Sequence, residues 1–83
     1  MSCKDFLSLS FYDQLRTLYM EGTFVVAIRY YKYKVNLYLM KGYYIEVFYN
    51  HKEDKIDKID LYDSSSTRTK FYADQVKLPA GLI

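Results

Sequence analysis

The sequence predicts an α+β domain: an N-terminal helix, a four-stranded antiparallel β-meander and a short C-terminal helix. Three observations carry that reading. Apolar residues recur at helical spacing before Gly22, they alternate with period two after it, and the alternating runs are separated by short turns rather than by crossover connections. With 83 residues, a single domain over 1–83 accounts for the whole chain. A domain of this size buries only somewhat more than ~60% of the surface that its unfolded chain exposes, so its stability margin is thin.

The first helix is expected over about 10–21. Ser2 followed by Asp5 has capping-box spacing and Ser10 followed by Asp13 repeats it, so either serine can start the helix. From the later start, Phe11, Leu15, Leu18 and Tyr19 fall on one stripe, which Leu7 extends backwards. Gly22 ends it, as a glycine free to adopt the left-handed conformation beyond a helix.

Strands follow over about 23–31, 34–41, 43–50 and 55–62. The first alternates Phe24, Val26, Ile28 and Tyr30 against Val25, Ala27, Arg29 and Tyr31. The second alternates Val35, Leu37 and Leu39 against Asn36, Tyr38 and Met40, after a turn within 31–34 that contains neither glycine nor asparagine. Lys41-Gly42 is a tight turn, because glycine tolerates the positive φ that a two-residue hairpin loop demands. The third strand sets Tyr43, Ile45, Val47 and Tyr49 against Tyr44, Glu46 and Phe48, and the polar run Asn50 to Asp54 makes a hairpin loop of four or five residues. In the fourth strand the apolar pattern slips between Ile56 and Ile59, the mark of a β-bulge. Ser64, Ser65, Ser66 and Thr67 break the sheet and cap a last helix over about 66–77 carrying Phe71, Tyr72 and Val76, and Pro79 and Gly81 close the chain.

Composition narrows the chemistry. The one cysteine, Cys3, can form no internal disulfide, which suits a reducing cytoplasmic setting. The longest apolar run, Phe24 to Ile28, is far short of a membrane span, and the first ten residues carry no secretory pattern. The glycines are scattered singletons, so no phosphate-cradling loop is expected. One cysteine and one histidine, His51, make no four-ligand zinc site, and neither lies in a pattern that activates a nucleophile. No cofactor, metal or catalytic residue is therefore expected. Net charge is only +2, but between Gly22 and Ile45 the charged residues are Arg29, Lys32, Lys34 and Lys41, all cationic, and acids dominate from Glu46 to Asp63. Asp57, Asp60 and Asp63 read as solubilising charge on an edge strand.

The chain holds 11 tyrosines and no tryptophan. Tyrosine suits places where a ring is buried and its hydroxyl stays wet, such as sheet faces and interfaces. Strand alternation predicts a core face of Phe24, Val26, Ile28, Tyr30, Val35, Leu37, Leu39, Ile45, Val47, Ile59 and Leu61 beneath the first helix. Its reverse carries Val25, Ala27, Asn36 and Glu46 together with Arg29, Tyr31, Tyr33, Tyr38, Met40, Tyr44 and Phe48, and is too aromatic for an ordinary solvent face. Three occupants suit that face. A second copy would make a homodimer, with those last seven residues as the partner-binding set. The C-terminal helix could fold across it. RNA or single-stranded nucleic acid could stack on its rings, with Arg29, Lys32, Lys34 and Lys41 on the phosphates. The leading expectation is the first: a small cytoplasmic, non-enzymatic module that self-associates through a tyrosine-rich sheet face.

The segment from Arg29-Tyr30-Tyr31-Lys32-Tyr33-Lys34-Val35 through Gly42-Tyr43-Tyr44-Ile45-Glu46-Val47 to Ile59 resembles the tyrosine-rich meanders of small bacterial proteins. The order helix, meander, helix is similar to that of bacterial ribonuclease toxins of the RelE and ParE type. That resemblance implies a third function, RNA cleavage within a toxin–antitoxin pair, with Arg29, Glu46 or His51 as the residues to carry it.

Overall fold

A computed structural model describes residues 1–66 and 68–75. The elements run α1 (Cys3–Leu7), α2 (Phe11–Glu21), β1 (Thr23–Tyr30), β2 (Tyr33–Leu39), β3 (Tyr44–Asn50), β4 (Lys55–Leu61) and α3 (Thr69–Gln75). The four strands form one antiparallel sheet in the order β1-β2-β3-β4, the expected meander. The continuation of the last helix to residue 77, with Val76, and the closing Pro79 and Gly81 lie outside the described residues, as does Thr67.

Both serines expected to cap a helix do so. Ser2 Oγ accepts from the Asp5 amide at 3.1 Å and Ser10 Oγ from the Asp13 amide at 3.2 Å, so the chain makes two short helices rather than one with a choice of start. The break at Ser8–Ser10 removes Leu7 from the stripe of α2. It also lets α1 drive Phe6 into the core beside Leu18. With Phe6 filling that side, α2 is rotated away from the expected orientation. Leu18 and Gln14 point inward, the Gln14 amide donating to the Phe6 carbonyl at 3.3 Å, while Phe11 and Tyr19 face solvent.

Gly22 ends α2, but with extended backbone (φ −82°, ψ 157°) rather than the left-handed conformation expected from sequence. Glycine is required there for space. A Cβ would lie 2.7 Å from the Leu18 carbonyl oxygen and 3.3 Å from Met40 Sδ.

The faces of the sheet are set by its turns. β1 and β2 join through Tyr31-Lys32, and β2 and β3 through Lys41-Gly42, where Gly42 has φ +80° as a tight turn demands. A two-residue turn pairs odd-numbered residues of one strand with even-numbered residues of the next. Val35 therefore lies opposite Phe48 and Leu37 opposite Glu46, while Ile45 lies opposite Tyr38 and Val47 opposite Asn36. The expected grouping of Ile45 and Val47 with Val35 and Leu37 is overturned, because it would need a turn one residue longer or shorter. In β1 an extra residue at Val25 makes a bulge and carries Phe24 to the face of Tyr38, away from Val26 and Ile28. The bulge expected in β4 falls at Asp57, and the loop before it is residues 51–54.

Both faces are covered. Phe6 and Leu18 of α1 and α2 pack on Met40, Ile45 and Val47. On the reverse, Tyr72 of α3 packs with Val26, Ile28, Val35, Leu37, Phe48 and Tyr62. The central strand β3 consequently has four consecutive buried residues, Ile45 to Phe48, the burial of a strand inside a three-layer sandwich.

Gly22→Ala forces the Leu18 backbone or Met40 to move and is expected to cost about 2 kcal/mol, the scale of overpacking a tight site. Urea unfolding monitored by far-ultraviolet circular dichroism measures it.

Candidate interaction surfaces

The face expected to be open is closed by a buried ion pair. Glu46, fully buried, points from β3 toward α3. Its Oε1 accepts from Arg68 Nη2 and its Oε2 from Arg68 Nε, both at 2.7 Å, and Oε2 also accepts from the Tyr72 hydroxyl at 2.7 Å. The guanidinium lies 5.3 Å from the ring centroid of Tyr30 and 5.1 Å from that of Phe48, so both hydrogen bonding and cation–π attraction hold it. Around it, Tyr72 meets Tyr62 edge-on at 5.6 Å, Tyr62 meets Tyr44 at 6.5 Å, and Phe71 meets Tyr30 at 5.7 Å. The Tyr62 and Thr69 hydroxyls share a hydrogen bond at 2.6 Å, and Thr69 Oγ1 donates to the Ser64 carbonyl. Much of the tyrosine richness is thus an internal aromatic layer between sheet and α3. Hydrogen bonding to Glu46 holds the Arg68 guanidinium further above its ordinary range, and burial first, then the bond to Glu46, raises the Tyr72 phenol.

The seven residues expected to share one open face are dispersed. Phe48 and Met40 are buried on opposite sides of the sheet. Tyr33 and Tyr44 are half-buried at the α3 layer, Tyr33 edge-on to Phe48 at 5.5 Å. Tyr38 lies on the α2 face, and Arg29 and Tyr31 are exposed at the end of β1. The cause is turn parity, which puts Tyr38 and Phe48 on different faces. Of the four cations, Arg29, Lys32 and Lys34 gather around the β1–β2 turn. Lys41 sits in the next turn, at the other end of a seven-residue strand and so about 20 Å away. Glu46 is sealed beneath α3, His51 is exposed in the 51–54 loop and Arg29 projects from the opposite face to Glu46, so the three do not converge.

A different surface is open. On α2, Phe11, Leu15 and Tyr19 recur every fourth residue along one line, flanked by Tyr12. Tyr19 (64% exposed) meets Tyr38 at 6.4 Å between ring centroids, and Tyr38 meets Phe24 (52% exposed) edge-on at 5.7 Å. A continuous apolar stripe therefore runs down α2 and onto the start of β1. Tyr12, 80% exposed, borders it, and Met20, 75% exposed, lies further round the helix on the side of the Arg16–Asp13 ion pair of 2.9 Å. Burial, with Tyr19 beside it, raises the Tyr38 phenol.

No protein-family model, no curated protein and no solved structure matches this chain. Among the described residues, no three metal-ligating side chains cluster and no helix is long and apolar enough to cross a membrane.

The stripe was legible in one respect: α2 carries apolar residues over a wider arc than a single buried side can hold. The bulge at Val25 that brings Phe24 alongside has no marker in the sequence, and neither has the pairing of Arg68 with Glu46.

Two predictions test these buried contacts. Arg68→Met leaves the Glu46 carboxylate buried without its cation and is expected to destabilise the fold by about 3–5 kcal/mol in urea titration. Burial raises the phenols of Tyr38, Tyr43 and Tyr72 above the ordinary 10.0 in the folded state. Above that value the unfolded chain releases protons that the folded one retains, so stability is full below it and falls as pH rises further. Denaturant midpoints measured across that range, with Tyr72→Phe as the less steep comparison, check the sign.

Proposed function

We propose that the protein is a small cytoplasmic interaction module that self-associates through the aromatic stripe of α2 and the adjoining end of β1. One observation carries the reading: exposed Phe11 and Tyr19 on α2 and exposed Phe24 on β1 are joined through half-buried Leu15 and Tyr38 into one aromatic surface, outside the side of α2 that fills the core. A helix apolar on two sides buries one of them against something outside its own domain. Tyrosine, phenylalanine and methionine are the residue types enriched where interfaces form.

A second copy suits this surface because a stripe of Phe11, Leu15 and Tyr19 carries no charged side chain along its length and can pack on its own copy about a two-fold axis without stranding an ion, while Asp13 and Arg16 already pair with each other on α2. The reading keeps the self-association expected from sequence and relocates it from the reverse of the sheet to α2.

Sedimentation equilibrium from micromolar to millimolar protein is expected to show a reversible monomer–dimer equilibrium. Tyr19→Glu with Phe24→Glu abolishes the dimer. Both side chains are more than half exposed, so monomer stability changes by no more than about 0.5 kcal/mol per site. A wild-type chain that stays at the monomer mass throughout, or a double variant that still dimerises, refutes the proposal.

A further inference from the structure

We infer that the β1–β2 hairpin tip is a binding site for single-stranded nucleic acid, formed by Arg29, Lys34, Lys32 and Tyr31. It lies at the far end of β1 from the α2 stripe and stands independently of self-association.

The first observation is a pair of like charges set against each other. Arg29 and Lys34 face each other across the β1–β2 ladder, and like charges directly opposite destabilise a strand pair. Among the side chains of residues 1–66 and 68–73, no carboxylate lies within ion-pair distance of Arg29, Lys32 or Lys34. The nearby acids of the 51–54 loop and β4 are engaged elsewhere: Asp54 accepts from the Tyr49 hydroxyl, Glu53 and Asp57 accept from the Asn50 amide, and both lie near Lys55. A like-charge pair kept directly opposite in a ladder marks a place where sequence serves something other than folding.

The second is a strained residue at the turn itself. Tyr31 has φ +56° in the first position of the two-residue turn, a conformation in which a bulky side chain is an outlier and glycine is ordinary. Its ring is 87% exposed and held edge-on to Tyr30 at 4.7 Å. Strain retained at an exposed aromatic is the pattern of a contact residue.

The third is a recess. A cavity of about 330 Å³ opens at the same end, lined by Ala27, Ile28, Arg29, Lys34 and Phe71. It combines an apolar wall with two cationic groups, and its size lies at the lower end of small-ligand sites.

Together these features fit a phosphate bridged by Arg29 and Lys34, a base in the recess against Phe71, and a neighbouring base on the free face of Tyr31, with Lys32 on the next phosphate. Only an unpaired strand can supply a base to the recess. An acidic peptide would satisfy the cations but offers no ring to Tyr31.

Fluorescence anisotropy with labelled mixed-sequence RNA and DNA oligonucleotides, their duplexes and polyglutamate tests this on the full chain. Single strands are expected to bind with a log–log salt slope of about −1.4 for two neutralised phosphates. Arg29→Ala with Lys34→Ala lowers affinity about tenfold or more and flattens the slope to about −0.7. Tyr31→Gly relieves the backbone, melting above Tyr31→Ala, yet weakens binding several-fold. Lys41→Ala and the dimer-blocking Tyr19→Glu/Phe24→Glu pair leave binding unchanged. The inference is overturned by any of four results: no salt-dependent binding, duplex or polyglutamate bound as tightly as single strands, an unaffected Arg29/Lys34 variant, or full binding by Tyr31→Gly.

Discussion

Glu46 has no surface in contact with water, and the architecture on its side of the sheet is what allows a carboxylate to sit there. An isolated buried charge costs several kcal/mol of lost hydration. Here two guanidinium hydrogen bonds and one phenol hydroxyl replace water, and no buried polar side-chain atom among the described residues is left without a partner. Such a pair adds little net stability over an apolar replacement. Its effect is on specificity. Arg68 reaches both carboxylate oxygens only when α3 lies across Tyr30 and Phe48, so the pair fixes where a helix of less than two full turns docks. A helix that short has little stability of its own, and its place depends on that geometry together with the burial of Tyr72.

This docking changes what the tyrosines mean. Tyr30, Tyr33, Tyr44, Tyr62 and Tyr72 form much of the layer between sheet and α3, with edge-on contacts and with the Tyr62 and Tyr72 hydroxyls bonded to Thr69 and Glu46. They supply apolar area in a domain with too few residues for a deep aliphatic core, and they satisfy polar groups that an aliphatic layer would strand. Tyr12, Tyr19 and Tyr31 have no such task, and they are the tyrosines most exposed to solvent.

Much of the architecture was legible in the residues: both serine caps, the strand order, the Lys41-Gly42 turn, the 51–54 loop and the bulge in β4 are each dictated by local chemistry. The assignment of faces was recoverable too, since the Lys41-Gly42 turn fixes parity and parity places Phe48 with Val35. What local chemistry does not encode is long-range. The Arg68–Glu46 contact joins residues 22 apart, and Arg68 follows a serine run that reads as a simple breaker. The rotation of α2 depends on Phe6 from a preceding helix, and the crossing of Phe24 depends on an unmarked bulge.

The two open surfaces lie at opposite ends of β1, and the strand's composition reflects both. As an edge strand, β1 carries one charge in eight residues, Arg29, whereas the other edge, β4, alternates lysine and aspartate. Charged side chains are the usual protection of an edge against unwanted pairing. β4 has that protection and β1 lacks it. At one end of β1 the aromatic stripe of α2 runs onto Phe24, and at the other the only charge is set against Lys34 rather than against an acid. Under the two proposals this lightly guarded edge serves association, with Arg29 helping to select an anionic partner at one end and the apolar end left clear for a second copy.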